Sequence, residues 1–202
     1  MEEIASEGGH TTGLCHRRYR CCLSACGSGA LAASFSSRGD LPDRSVILTF
    51  DDGAYNFLEL GIPLLEKYEV TATSFTECSR DDIEYMLDTF ASPYVCFESH
   101  SYDMHHAGST AIGHGGAIYD LSEDELADDL QHAVDILGTR GAFAYPYGDV
   151  SDVSAAAIER VGILCSFTTD YDQVYPGDDP TRLSRIRVSG GEGLEYYQGS
   201  VW

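Results

Sequence analysis

Short apolar runs alternate with amphipathic segments along most of this chain, and this alternation constrains the fold more than any other feature. The apolar runs are four to six residues long, as in strands, and the segments between them space their apolar residues as helices do. Strands are predicted at residues 45–50, 71–75, 94–98, 142–145, 164–168 and 185–188, and helices at 57–68, 81–90, 122–137 and 151–161. This order predicts an α/β fold with a mostly parallel sheet buried on both faces.

A β/α barrel is favoured over an open doubly wound sheet, because no glycine-rich phosphate loop follows the first predicted strand. A chain of 202 residues that is 43% hydrophobic can build one sizeable core, which we assign to a single domain at residues 41–202. Residues 1–40 are rich in Gly, Ser, Ala and Cys and are predicted to form a flexible or poorly specified leader.

The acidic charge lies on the predicted domain. Acids and bases cancel in residues 1–40, so the whole net charge of -21 falls on residues 41–202, with 29 acids and 8 bases. Nucleic acid and anionic membranes are therefore poor partners.

No apolar run reaches the roughly 18 residues of a transmembrane segment. No complete signal peptide is present, since His16 to Arg20 stand where its apolar region would lie.

Polar residues collect where three of the predicted strands end. The segment TFDDG places Asp51 and Asp52 after the first strand, residues 99–106 (SHSYDMHH) follow the third, and residues 146–149 (PYGD) follow the fourth. Neighbouring side chains on a strand point to opposite faces, so two adjacent carboxylates share a site only where the strand ends. A DDG sequence alone is also typical of a simple turn. Because strand ends meet on one face of a β/α barrel, the three loops predict one site.

His100 and His105 are five residues apart and can share a metal only across a turn. On a helix their side chains would diverge by about 140°, and on a strand they would face opposite sides. The polar residues 101–103 can supply such a turn. Two imidazoles and one carboxylate form the open coordination of a catalytic zinc or a similar ion, which suits hydrolysis of an amide or ester. The second carboxylate of TFDDG would then remove a proton from the attacking water.

TFDDG, SHSYDMH and AYPYG together resemble three successive motifs of the polysaccharide deacetylase family, also called the NodB homology domain or carbohydrate esterase family 4. The resemblance covers about residues 41–190 and implies a distorted β/α barrel with fewer than eight strands. It implies one divalent metal ion, Zn²⁺ or alternatively Co²⁺ or Ni²⁺. The roles it implies are Asp51 as general base, Asp52, His100 and His105 as metal ligands, and Pro146, Tyr147 and Gly148 as one wall of a sugar groove.

The spacing of the two histidines resembles the branch that deacetylates poly-β-1,6-N-acetylglucosamine. That branch implies a hydrolase that removes N-acetyl groups, releases acetate and acts outside the cytoplasm or at the cell envelope. It implies no protein partner. Peptidoglycan, chitin oligomers and acetylated xylan are rival substrates within the family. A non-catalytic or weakly active sugar-binding module on the same fold is the alternative function, and His106 is the alternative ligand to His105.

Two departures from the family pattern bear on activity. Ala144 stands where the family often has an arginine that orients the base. Either Arg140 or Arg185 could take the role of that missing arginine. No histidine follows His132, although the family usually has a late histidine that protonates the leaving amine. Asp103, Asp170 or His114 could serve as the acid, or water could do so slowly.

Overall fold

The computed structural model of the protein describes residues 45–201, and the predicted leader at residues 1–40 lies outside them. The strands are β1 (Leu48–Phe50), β2 (Ala72–Thr76), β3 (Val95–Ser99), β4 (Phe143–Ala144) and β5 (Ser166–Phe167). The helices are α1 (Tyr55–Tyr68), α2 (Ile83–Thr89), α3 (Glu123–Leu137), α4 (Asp152–Val161) and α5 (Leu194–Val201). Single 3₁₀ turns occupy Ala117–Tyr119 and Pro146–Gly148.

The five strands form one sheet in the order β1-β2-β3-β4-β5, and every neighbouring pair is parallel. The predicted parallel sheet is therefore confirmed. In register, Phe50 at the end of β1 lies beside Ser74 on β2, and Thr76 at the end of β2 lies beside Ser99 at the end of β3. The loops that follow the strands consequently leave from the same edge of the sheet.

The sheet is strongly curled. In a flat sheet β1 and β5 would lie roughly 19 Å apart, four strand spacings of 4.7–4.9 Å each. Arg185, which follows β5, nevertheless reaches β1, where its Nη1 lies 3.3 Å from Oγ1 of Thr49. The ring of Phe75 on β2 also lies 5.7 Å from that of Phe167 on β5. Over residues 45–201, the structure thus confirms a distorted, partly closed barrel with fewer than eight strands.

The strand predicted at residues 185–188 is wrong. The chain approaches the sheet two residues earlier, where Leu183 forms an isolated parallel bridge with Phe167. The Arg185 N–H donates to the carbonyl of Asp170 in a loop, so this segment does not continue the ladder. Its alternation of basic and apolar residues resembles a strand, but the side chain of Arg185 turns into the site described below.

Buried apolar residues fill both sides of the sheet. Inside the curl lie Phe75, Ala142, Ala144, Cys165, Phe167 and Leu183. Outside it, helix α3 packs through Leu126, Leu130, Val134 and Leu137, which have the spacing of one helical face. Helix α3 begins at Ser122 with the predicted capping box, in which Ser122 and Glu125 bond reciprocally. Within residues 45–201, no helix combines the length and apolar character needed to cross a bilayer.

Glu98 joins β3 to the segment that leads into β4. Its buried carboxyl group accepts hydrogen bonds from the Ala142 N–H at 3.1 Å and from the Thr139 hydroxyl at 3.2 Å. Burial raises the pKa of Glu98 to about 7, although these bonds oppose the shift. A Cβ at Gly141 would lie 2.5 Å from this carboxylate, so any larger residue there would displace the carboxylate from its hydrogen bonds.

Candidate active site

The turn after β1 brings both aspartates of TFDDG to one site. Asp52 has a φ of 71° and Gly53 a φ of 57°, so the backbone turns sharply as the strand ends. The Gly53 N–H donates to the carbonyl of Phe75 at 2.9 Å, and a Cβ on Gly53 would lie 3.0 Å from the Thr76 side chain. A left-handed conformation at a non-glycine residue costs free energy and often marks a functional site. Here it aims neighbouring carboxylates at a common space.

Asp52, His100 and His105 converge at that space. Oδ1 of Asp52 lies 3.3 Å from Nε2 of His100 and 3.3 Å from Nε2 of His105, and the potential ligand atoms of all three residues lie within 4.8 Å of one another. Ligands placed about 2.0–2.1 Å from an ion at tetrahedral angles are themselves about 3.3–3.4 Å apart. The trio therefore fits a small divalent ion.

His100 is buried and held in the orientation that a metal ligand needs. Its Nδ1 lies 2.7 Å from the carbonyl oxygen of Ala144 on β4. In a neutral imidazole, an Nδ1–H that donates to a carbonyl leaves a lone pair on Nε2, the atom that faces Asp52. A backbone carbonyl of the neighbouring strand thus fixes both the tautomer and the ring orientation.

His105 is held less tightly. Its side chain is 28% exposed, and its ring stacks on that of Tyr147 with the centroids 5.1 Å apart and an angle of 16° between the planes. His106, the alternative ligand, is exposed and its Nδ1 lies 3.0 Å from the carbonyl of Ala107. Of the two neighbouring histidines, His105 lies with Asp52.

Asp52 is favoured in its anionic form. When Nε2 of His100 carries a proton, its hydrogen bond to Asp52 lowers the pKa of the Asp52 carboxyl group, and charge at His100, His105 and Arg185 adds to this effect. A bound metal ion would take the place of that proton and leave the neutral tautomer described above. Partial burial acts in the opposite direction but does not prevail. An ionised carboxylate beside two imidazole nitrogens is the donor set of a divalent metal site.

Asp51 faces a different partner. Arg185 binds both of its oxygens, Nη1 to Oδ1 and Nη2 to Oδ2, each at 2.7 Å. The Nε of Arg185 donates to the carbonyl of Thr168 at 3.0 Å, which fixes the guanidinium plane. Arg140 instead donates to the carbonyl of Val161 and to Gln131. Arg140 and Arg185 were the two candidates for the arginine that is missing at position 144. Of these two, Arg185 is the one that binds Asp51.

The PYG turn forms another side of this space. Tyr147 has a φ of 61°, and its partly exposed ring covers His105. Gly148 has a φ of 76°, and a Cβ there would lie 2.0 Å from Oγ1 of Thr169. Pro146 is buried. These three residues therefore form a rigid turn beside the metal trio, and their role as a sugar-groove wall stays a prediction.

A buried carboxylate that sequence reasoning missed, Asp149, attaches the glycine-rich loop to this turn. It accepts hydrogen bonds from the N–H groups of His114 at 2.7 Å and Gly116 at 2.8 Å, and its Oδ1 lies 3.1 Å from Nδ1 of His114. An acid directly after PYG was the available signal. The imidazole of His114 is 65% exposed, and its Nδ1 faces the carboxylate of Asp149.

The other residues considered as general acid lie on loops around the site. The exposed Asp103 follows β3 in the turn between the two histidines, and Asp170 follows β5, where its carbonyl accepts the N–H of Arg185. The assignment of the acid stays open between Asp103, Asp170 and His114. The catalytic and metal-binding roles of Asp51, Asp52, His100 and His105 likewise stay predictions, although the structure groups Asp52 with His100 and His105 and pairs the adjacent Asp51 with Arg185.

A family model described as polysaccharide deacetylase matches residues 38–165 of this chain. A poly-β-1,6-N-acetyl-D-glucosamine N-deacetylase of Staphylococcus epidermidis is 28% identical over 174 residues, covering 77% of this chain and 58% of that protein. A protein of the same name in Staphylococcus aureus strain MRSA252 is 26% identical over 171 residues with the same coverage. The chain thus spans 58% of the length of these curated relatives.

The fold is shared with solved structures of other proteins. IcaB from Ammonifex degensii superposes with a TM-score of 0.69 at 25% sequence identity, covering 88% of this chain and 80% of that one. The deacetylase PplD of Streptococcus pyogenes, solved in complex with acetate, gives a TM-score of 0.71 at 19% identity, covering 85% and 76% of the two chains.

Proposed function

Because this chain belongs to the polysaccharide deacetylase family, we propose that it is a metal-dependent hydrolase that removes N-acetyl groups from N-acetylglucosamine units of a polysaccharide. Water adds to the acetyl carbonyl and the carbon–nitrogen bond breaks, which gives acetate and an amine. The observation that carries the proposal is the arrangement of Asp51, paired with Arg185, beside the trio of Asp52, His100 and His105.

Asp52, His100 and His105 would hold one divalent ion, and Zn²⁺, Co²⁺ and Ni²⁺ all suit this donor set. Such an ion supplies a Lewis acid that polarises the acetyl carbonyl and makes a water molecule more acidic. The fixed tautomer of His100 and the anionic form of Asp52 favour binding before any substrate arrives.

Asp51 would act as the general base that takes a proton from the attacking water. Arg185 binds both carboxylate oxygens in the plane of its guanidinium group and so restricts the direction from which Asp51 can accept that proton. Asp51 is 30% exposed and Asp52 is 61% exposed, so both carboxylates are open to solvent and to a substrate.

Pro146, Tyr147 and Gly148 would line the sugar groove, with the Tyr147 N–H helping to bind the oxyanion. The product is a cationic amine, with which the acidic charge of residues 41–202 is compatible. Poly-β-1,6-N-acetylglucosamine is the proposed substrate, since both curated relatives are named for it. An extracytoplasmic or cell-envelope location follows from a substrate of that kind.

Acetate release from defined glycans tests this function. Metal-stripped protein is supplied with Zn²⁺, Co²⁺ or Ni²⁺ and offered poly-β-1,6-N-acetylglucosamine, chitin oligomers or acetylated xylan, with Asp51→Asn as the control. We expect metal-dependent release, fastest from the β-1,6 polymer and lost in the variant. Saccharide binding without release from any of these glycans would instead support the sugar-binding module.

A further inference from the structure

The turn at residues 101–104 makes the proposed metal site possible, because His100 and His105 would diverge on a regular helix or strand. Ser101 has a φ of 82°, and its hydroxyl accepts the N–H of Met104 at 3.0 Å. The side chain of Met104 is buried in the core between the sheet and α3. The chain therefore reverses between the two histidines and returns His105 to the face where His100 already lies.

The carbonyl side of this turn is attached to the loop after β2. The carbonyl of Ser101 accepts the N–H of Cys78 at 3.1 Å, and that of Tyr102 accepts the N–H of Ser79 at 2.8 Å. These bonds hold the turn against the sheet. They leave the two following N–H groups pointing the other way, toward α3.

Asp129 of α3 binds the opposite side of the turn. Its Oδ1 accepts the N–H of Tyr102 at 2.8 Å and its Oδ2 accepts the N–H of Asp103 at 2.8 Å. One carboxylate thus engages two consecutive backbone N–H groups, an arrangement in which both bonds are charge-assisted. The ring of Tyr102 also packs edge-on against His132, one helical turn further along α3.

We propose that Asp129 is a positioning residue for the metal centre, whose carboxylate holds the turn in the conformation that lets His100 and His105 bind one ion. This inference rests on the proposed metal-dependent function. Among the described residues, Asp129 forms its hydrogen bonds with the backbone N–H groups of Tyr102 and Asp103, so it acts on the metal site through this backbone.

The two histidines depend on this turn to different degrees. His100 directly follows β3 and is fixed by the carbonyl of Ala144. His105 lies beyond the turn and is otherwise oriented by its stacking on Tyr147. When the carboxylate of Asp129 is lost, we expect His105 to move away from Asp52 and His100 to stay.

Metal binding to Asp129→Asn tests the proposal directly. The amide keeps one acceptor but turns an NH₂ group toward a backbone N–H, so one of the two bonds is lost. The matched control is Asp128→Asn, which removes the same charge from the exposed neighbouring residue of α3. Calorimetric titration of the metal-free proteins with Zn²⁺ and the visible absorption of Co²⁺ complexes are the two readouts.

We expect Asp129→Asn to lower metal affinity about 10- to 100-fold, the usual effect of losing a group that orients a ligand, and to alter the Co²⁺ spectrum. Asp128→Asn should match the wild type in both. If Asp129→Asn does not fold, Asp129→Ser, which retains a small acceptor, is titrated instead with the same expectation. Affinity and spectrum like those of Asp128→Asn would overturn the proposal.

The same titration separates this inference from the proposed function. A wild-type protein that binds no metal would overturn both. A wild-type protein that binds metal but releases no acetate would overturn the deacetylase alone, and the comparison of Asp129→Asn with Asp128→Asn would still decide the role of Asp129.

Discussion

The two sides of the candidate site are assembled over very different distances along the chain. The metal side, Asp52 with His100 and His105, joins loops that follow β1 and β3, which are separated by one strand. The base side, Asp51 with Arg185, joins residues 134 apart and connects the two opposite edges of the sheet. The metal side requires only parallel strands in sequential order, whereas the base side requires the sheet to curl.

The two sides also differ in their charges. Asp52 faces imidazoles, which must be neutral to bind a metal, so this side is complete only when an ion is bound. Asp51 faces a guanidinium group that stays charged at any ordinary pH, so the base side is already paired in the metal-free protein. Substitutions on the two sides should therefore separate metal binding from turnover.

The largest effect is expected on the metal side. Asp52→Ala and His105→Ala each remove a ligand, so metal affinity should fall by more than the roughly 10- to 100-fold that loss of a ligand-orienting group costs, and acetate release should disappear. Zn²⁺ titration and an acetate assay measure these two quantities. His106→Ala is the matched control for the histidine. A loss of metal in His106→Ala equal to that in His105→Ala would show that the wrong histidine has been assigned.

The next largest effect is expected from Asp51→Asn on the base side. The amide cannot accept a proton, so the rate of acetate release should fall by about 10²- to 10⁴-fold while metal affinity stays near that of the wild type. Rate and affinity are measured on the same preparation. Loss of metal from Asp51→Asn would show that Asp51 is also needed for metal binding, which would contradict the proposed division of roles between the two sides.

A smaller effect is expected when the partner of the base is changed. In Arg185→Ala the carboxylate of Asp51 is free to rotate, and a misplaced base can cost up to about 100-fold in rate with metal affinity retained. Arg185→Lys should recover only part of the rate, because an ammonium group cannot bind both oxygens in one plane. Arg182→Ala removes a nearby arginine that pairs with the exposed Asp152 and should leave the rate unchanged. Equal rates for Arg185→Ala and wild type would contradict the role of this pair.

The smallest effect is expected at the contact between the metal side and the PYG turn. Tyr147→Ala removes the ring that stacks on His105, and an aromatic pair contributes about 0.5–1.5 kcal/mol, which corresponds to a loss of roughly 2- to 10-fold in metal affinity. Tyr147→Phe keeps the ring and should bind metal as the wild type does. An affinity in Tyr147→Ala equal to that in Tyr147→Phe would mean that the stacking does not hold His105.

The same contrast explains how much of the molecule could be predicted from its sequence. The parallel strands, the helices and the segments that carry Asp51, Asp52, His100 and His105 could be predicted, because each is marked by a local pattern at a strand end. The turn between the histidines was also predicted, but Asp129, which binds its backbone, was not, since a carboxylate within an amphipathic helix resembles any other surface acid.

The pairing of Arg185 with Asp51 could not be predicted because it depends on curvature. From the sequence, Arg140 and Arg185 were equal alternatives, and residues 185–188 were predicted to form a strand. In the structure that segment leaves the sheet after the bridge at Leu183, and this departure is what brings Arg185 across to β1. Contacts between opposite sheet edges have no local signature, so they require the folded chain.

Titration of metal-stripped protein with Zn²⁺ while acetate release is followed tests the central claim most directly, that one ion at Asp52, His100 and His105 acts together with Asp51. We predict negligible release without metal, a linear rise up to one equivalent of Zn²⁺ and a plateau thereafter, with no rise at any ratio in Asp51→Asn. Full activity in the presence of a strong chelator, or a rise in Asp51→Asn equal to that of the wild type, would contradict the account.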